Sequence, residues 1–499
     1  MWISLYPHNN EVSSSRIFFY TFDENEGAMY DDDNMDDERS PIEALIERFE
    51  NIKNGTGAGM LDEEDYERVI EYYFQHNNDT DALLACDIGR TYYPFSASIL
   101  LLKAEILTQT QKYGQALKAL DELEQYDQVN LGAVLLRADI LLSQAKYENA
   151  ATYLLRSSDN FEGSERIEIL LELADVYDEC EEYEEVYNTL KKVLQLDYRN
   201  DEALQKVSFW AEFTGKLEDS VALHTRLTEE DPYSTLAWFN LGSAYQGLKQ
   251  YENAVDAYEY CIAIDEKFEF AYRNLADAFM RLKQYDKALE VLQKHLEIGK
   301  PEDVIFEAMG YCWEKQKDFS RARHYYRQAS KLSPDDDVIF YKIGETYARE
   351  HDWEKAVKSY SVALNINKEN ATYCMAIGNC LMEMNATNDA LLCYLNAVRL
   401  KPSVKVTWLA LIRGLYAAGH YEEALTQIDV ARGNCGDKAD FDYLQAAVLF
   451  EMGKTKEALI QLENGLQDSV VKLKIFTQLN RDFIKRNAVA ELIAKYKKK

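Results

Sequence analysis

The side chains that could do chemistry in this chain are thinly spread. Eight Cys and seven His lie along it with no Cys-x-x-Cys pair and no Cys/His spacing of a metal site. There is no His-Glu-x-x-His helix, no Gly-x-Ser-x-Gly elbow and no Walker loop. Asn54-Gly55-Thr56-Gly57-Ala58-Gly59 superficially resembles a phosphate cradle, but no strand precedes it and no Lys-Ser/Thr follows, so it reads as a flexible hinge. No residue is assigned a catalytic, cofactor-binding or metal-binding role, and the chain is expected not to be an enzyme. What remains is the chemistry of recognition. Asn240 and Asn274 lie 34 residues apart, and an Asn amide can satisfy one N–H and one C=O of an extended peptide. Arg273 can hold a carboxylate with two parallel hydrogen bonds, and Lys342 adds a second cation. Phe239, Tyr311 and Tyr341 offer the ring surface that usually dominates peptide affinity.

The spacing of 34 belongs to the whole chain. Trp238-Phe239-Asn240-Leu241-Gly242-Ser243-Ala244-Tyr245 is followed by Ala254 and Tyr258. The same chemistry returns as Tyr272, Leu275, Ala276, Phe279 and Ala288, then as Phe306, Met309, Gly310, Trp313, Ala322 and Tyr326. It continues through Gly344, Ala356 and Tyr360, and through Gly378, Ala390 and Tyr394. Apolar residues recur at three- and four-residue intervals, which is one face of a helix. Pro232, Pro334 and Pro402 fall where second helices must stop. Small residues at the eighth and twentieth places (Gly242 with Ala254, Gly344 with Ala356) suggest a close approach of two helices.

This pattern is similar to that of the tetratricopeptide repeat (TPR) family, including the multi-repeat proteins of the bacterial cytoplasm. The resemblance implies an all-α, right-handed superhelical solenoid of about twelve helix–turn–helix units with capping helices. The parse places units at 63, 97, 131, 167, 201, 235, 269, 303, 337, 371, 405 and 439, with two extra residues near Glu165-Arg166. Residues 63–472 then carry the repeats. Residues 1–38 are expected to be an acidic disordered segment, and 39–62 a capping helix opened by Ser40-Pro41 plus the glycine-rich hinge. Residues 473–499 are expected to be basic capping helices, in which Phe476, Leu479 and Phe483 continue the register as a lone first helix. Pentatricopeptide repeats are set aside because they favour a 35-residue period. Large residues at the fourth place, Trp238, Phe306 and Trp408, are expected to be buried between helices.

In the family, places two, five, six, nine and twelve of each first helix line a concave groove that holds peptides. Carried over, those places include Lys206, Phe209, Phe239, Asn240, Arg273, Asn274, Asp277, Glu307, Tyr311, Tyr341, Lys342, Met375 and Arg413. No three successive units supply the Lys/Asn set of the chaperone-binding carboxylate clamp. With 55 basic and 87 acidic residues the net charge is −32, which opposes binding to nucleic acid or anionic membrane. No basic leader or long apolar run is seen, and the chain is read as cytoplasmic. The expected role is an interaction scaffold or adaptor for a protein or peptide partner, without a cofactor. The alternatives are a non-catalytic subunit of an enzyme assembly or a spacer.

Overall fold

The computed structural model describes residues 41–56, 60–436 and 439–497. The acidic N-terminal segment, Ser40 and residues 57–59 of the hinge lie outside the described residues. Among those described there are 27 α-helices and no strand. They fall into two compact units that divide after Glu266.

In the first unit the helix Pro41–Lys53 leads into helix pairs whose first members start at Glu63, Ala97, Leu131, Gly163, Asp201 and Thr235. Phe49 of the leading helix is fully buried and meets the rings of Tyr66 and Tyr73 edge-on, which closes the apolar end of the first pair. One pair is irregular. Its first helix, Gly163–Glu179, begins four residues ahead of residue 167, and a 3₁₀ turn at Ser158–Asn160 precedes it. Gly163 has a φ of +60°, so the two extra residues are absorbed by lengthening the helix at a glycine.

In the second unit first helices start at Glu269, Asp303, Asp337, Ala371, Lys405 and Ala439. The last of these, Ala439–Glu451, is covered on nearly every side, because the C-terminal segment folds over it. That segment is not a lone first helix. It is broken into a 3₁₀ turn at Val470–Leu473, a short helix Lys474–Leu479, a second 3₁₀ turn at Arg481–Lys485 and the helix Asn487–Lys497. Phe450, Phe476 and Phe483 form its core, with the Arg486 guanidinium 5.1 Å from two of the rings.

Two local rules shape the first helices. Several are capped at the start by short polar side chains: Ser96, Asn130, Asn200 and Ser234 each accept a backbone N–H three residues on. They end on a left-handed residue at the fifteenth place, whether or not it is glycine: Asn77, Gln111, Ala145, Glu181, Lys249, Lys283, Lys317, His351 and Asn385 all have φ between 54° and 66°. The nearest neighbour of the eighth-place glycine is an aromatic ring. A Cβ on Gly242, Gly310, Gly344 or Gly378 would lie 2.5–2.6 Å from the ring of Tyr258, Tyr326, Tyr360 or Tyr394, the twenty-fourth place of the same pair.

The fourth-place rings divide. Trp408 is 4% exposed, as expected, but Trp238 and Phe306 are only half-buried. The fourth place sits at the edge of the pair, above the incoming loop. Trp238 and Trp408 both donate their indole N–H to the carbonyl of a proline six residues earlier, Pro232 at 2.9 Å and Pro402 at 2.8 Å. Their role is to tie down that loop.

Candidate functional site

In the first unit, the fifth- and sixth-place residues of the helix Thr235–Gly247 are drawn inward. Phe239 is 6% exposed and packs against the Tyr258 ring at 5.8 Å. Asn240 is 1% exposed, and its Nδ2 donates to the carbonyl of Leu204 on the preceding first helix at 2.6 Å. Neither side chain is presented to a ligand. Asn240 joins two repeats, so Asn240→Ala should lower stability by about 1–3 kcal/mol, the cost of orphaning a buried polar group. Chemical denaturation of the full chain checks this; a midpoint equal to wild type would show that the bond contributes nothing.

In the second unit Arg273 reaches Glu302, with Nη1 3.4 Å from Oε2, and its guanidinium lies 5.5 Å from the Phe270 ring. Asn274 is half-buried beside it. Tyr311 is exposed, with Lys315 Nζ 4.8 Å from its ring. Tyr341 stacks on Tyr373 at 5.2 Å, and Lys342 is ion-paired with Glu307. Of the sequence-derived residues in this unit, Tyr311 is the most open.

The same ninth place identifies residues that the sequence reading passed over. Glu71, Glu105 and Asp139 occupy it on the successive first helices Glu63–Gln75, Ala97–Gln109 and Leu131–Ser143. The same helices Ala97–Gln109 and Leu131–Ser143 carry half-buried Leu101, Leu102, Leu135 and Leu136 at the fifth and sixth places. Glu105 and Asp139 make no ion pair or hydrogen bond among the described residues. The surrounding protein pushes the Glu105 carboxyl up to about 7, mainly by desolvation with a smaller push from Glu71. Desolvation raises Asp139 to about 6, although its side chain still opens to solvent. Glu71 is raised for the same reason, with Glu67 adding to it and Arg68 opposing. Asp175 on the next first helix differs, since Lys206 pairs with it at 2.7 Å.

A second acidic surface lies in the same unit. A shallow cavity of about 550 Å³ is lined by Glu181, Glu182, Glu184, Glu185, Tyr183 and Phe213. Tyr183 stacks on Trp210 at 5.4 Å and meets Phe213 edge-on at 4.9 Å. Carboxylates beside open ring surface suit a cationic side chain.

Models of the tetratricopeptide repeat match residues 101–165, 235–268, 271–303 and 314–372. The chain is a tetratricopeptide-repeat protein. A PPR repeat model also matches residues 406–428, where the first helices at Lys405 and Ala439 nonetheless keep the TPR spacing of 34. Among solved structures, the C-terminal part of a TPR repeat-containing protein from Cytophaga hutchinsonii is 14% identical, with 51% of this chain and 99% of that one covered and a TM-score of 0.42. A tetratricopeptide repeat protein from Parabacteroides merdae is 14% identical, with 49% and 97% covered and a TM-score of 0.36. The Cut9–Hcn1 hetero-tetramer is 13% identical, with 82% and 97% covered and a TM-score of 0.34. No curated protein matches by sequence. TPR arrays serve in general as protein-interaction scaffolds and are typically non-catalytic. No helix among the described residues is long and apolar enough to cross a membrane.

Proposed function

We propose that this TPR protein is a non-enzymatic scaffold that holds a basic segment of a partner protein against the first helices of its N-terminal unit. The observation that carries the reading is the column of Glu71, Glu105 and Asp139, carboxylates on helices that also carry half-buried leucines, with no cation of the chain paired to Glu105 or Asp139 among the described residues. A desolvated carboxylate without a partner costs stability, and a Lys or Arg from a partner recovers it through a charge-assisted hydrogen bond. The leucines supply the apolar area, and the acidic cavity at Glu181–Glu185 extends the same preference. Arg273, Asn274, Tyr311, Tyr341 and Lys342 form a candidate contact surface in the second unit. All eight cysteines are free, which suits a reducing compartment such as the cytoplasm.

Spacing makes the proposal specific. Neighbouring first helices pack roughly 10 Å apart, and a polyproline-II segment advances about 3.1 Å per residue with every third side chain on one face. A partner segment with a basic residue at every third position therefore places one on each carboxylate. Selection from a library of displayed peptides should enrich that pattern. A Glu71→Gln, Glu105→Gln, Asp139→Asn variant should bind the enriched peptide about tenfold more weakly, a change of about 1.4 kcal/mol, with unchanged helicity. Unaltered affinity in the folded variant would refute the reading.

A further inference from the structure

We propose that Glu269, His295 and Glu302 form a site for a divalent transition-metal ion of the Zn²⁺ class, which clips three successive elements of the second unit together. One ligand atom from each of the three residues lies within 4.8 Å of the other two. Glu269 opens the first helix Glu269–Arg281, His295 lies on the second helix Tyr285–Ile298, and Glu302 immediately precedes the next first helix, Asp303–Lys315. No spacing along the sequence would have suggested the set, because each ligand comes from a different element.

His295 is the decisive residue. It is 1% exposed, and its Nδ1 is buried with no hydrogen-bond partner among the described residues. Its place, the twenty-seventh of the pair, is held by Ala329, Ala363, Ala397 and Ala431 in later pairs, so an imidazole there is not a packing requirement of the repeat. A neutral imidazole buried without a hydrogen-bond partner keeps a lone pair to give. The two carboxylates are shaped to meet it. Glu302 stands at the N-cap of Asp303–Lys315, yet its side chain makes no cap hydrogen bond. Gly299 leaves room for Glu269: a Cβ there would lie 2.8 Å from the Glu269 carboxyl carbon.

An imidazole with two carboxylates suits zinc-class ions. Calcium instead wants six or more oxygen ligands. Three protein ligands leave a coordination position for water. Arg273 sits on one side of Glu302, and a carboxylate has two oxygens, so the ion pair and a metal bond can coexist. With two carboxylates against one guanidinium, the local charge remains negative.

The test is calorimetric titration of the full chain with Zn²⁺, alongside His295→Ala, Glu302→Gln and Gly299→Ala. Wild type should take up one equivalent that stands clear of weak binding to the acidic surface. His295→Ala and Glu302→Gln should each lose at least about tenfold in affinity, since even outer-shell changes cost that much. His295→Ala should fold, because alanine is native to the place in neighbouring pairs. Gly299→Ala should weaken zinc by displacing Glu269, while its metal-free melting temperature stays at the wild-type value. Equal zinc affinity in wild type and His295→Ala overturns the site, as does a wild type that binds no zinc above the surface background.

Discussion

Tyr326→Ala is expected to lower stability by about 3–5 kcal/mol, the range for emptying a buried aromatic site. Tyr326 is fully buried, and its hydroxyl donates to Glu314 Oε2 at 2.9 Å, so the ring is held at both ends. The reverse fault, Gly310→Ala, places a methyl 2.5 Å from two ring carbons of the same tyrosine and should cost about 1–3 kcal/mol as overpacking. The two changes share one space. In the double variant the added methyl enters the cavity left by the ring, so the combined loss should fall short of the sum of the single losses. Urea denaturation of the four proteins measures the cycle. Because each repeat contacts only its neighbours, a lowered denaturant slope in Tyr326→Ala would mark local rather than global unfolding. Additive losses would show that Gly310 and Tyr326 do not pack against each other.

That cycle also shows what the sequence made legible. The helix–turn–helix repeat could be read because period, small residues and apolar spacing agree at every level. How the space beside the eighth place is filled is also written in the sequence. Glycine at the eighth place accompanies tyrosine at the twenty-fourth in Gly242/Tyr258, Gly310/Tyr326, Gly344/Tyr360 and Gly378/Tyr394. Alanine there accompanies leucine, as in Ala104/Leu120, Ala138/Leu154, Ala174/Leu190 and Ala276/Leu292. In these eight pairs the sum of the two side chains stays nearly constant, as a filled interior demands, whereas Ile412/Ile428 departs from it.

The site was harder to read, because a place number fixes which way a residue starts out, not what it finds. Asn240 and Asn274 hold the same place, yet Asn240 is captured by the Leu204 carbonyl and Asn274 stays half-buried. Glu105 and Asp139 were within reach of the same place rule, but nothing in their identity announced that no lysine would pair with them. Lys206, which does pair with Asp175, lies 31 residues along from it, a register that the earlier repeats fill with leucine at Leu102 and Leu136.

His224 gives the remaining expectation, a loss of stability in mild acid that one substitution removes. Its ring is fully buried, neither nitrogen has a hydrogen-bond partner among the described residues, and the Ser220 hydroxyl one turn earlier is equally unpaired. Burial holds the folded ring at about 3, against an ordinary value near 6.5 in the unfolded chain. Between those values the unfolded chain binds the extra proton, so stability falls as pH falls, by about 1.4 kcal/mol per pH unit. From pH 6.5 to 5 the loss from this one residue is roughly 2 kcal/mol. Glu105 and Asp139 act in the opposite sense. Their folded values are raised to about 7 and about 6, so their contribution is fully present in acid and is lost as pH rises through those values. The bulk profile therefore mixes opposing slopes, and the informative quantity is a difference between two proteins. Leucine is the fitting replacement, because the eighth place opposite is Ser208, close in size to the alanines that face leucine elsewhere. His224→Leu should be about 1–3 kcal/mol more stable than wild type at pH 7, having lost a buried unpaired ring. Its advantage should widen steadily between pH 6.5 and 5 when both are unfolded in urea. Profiles that run parallel over that interval would mean that the ring finds water or a proton partner inside the fold.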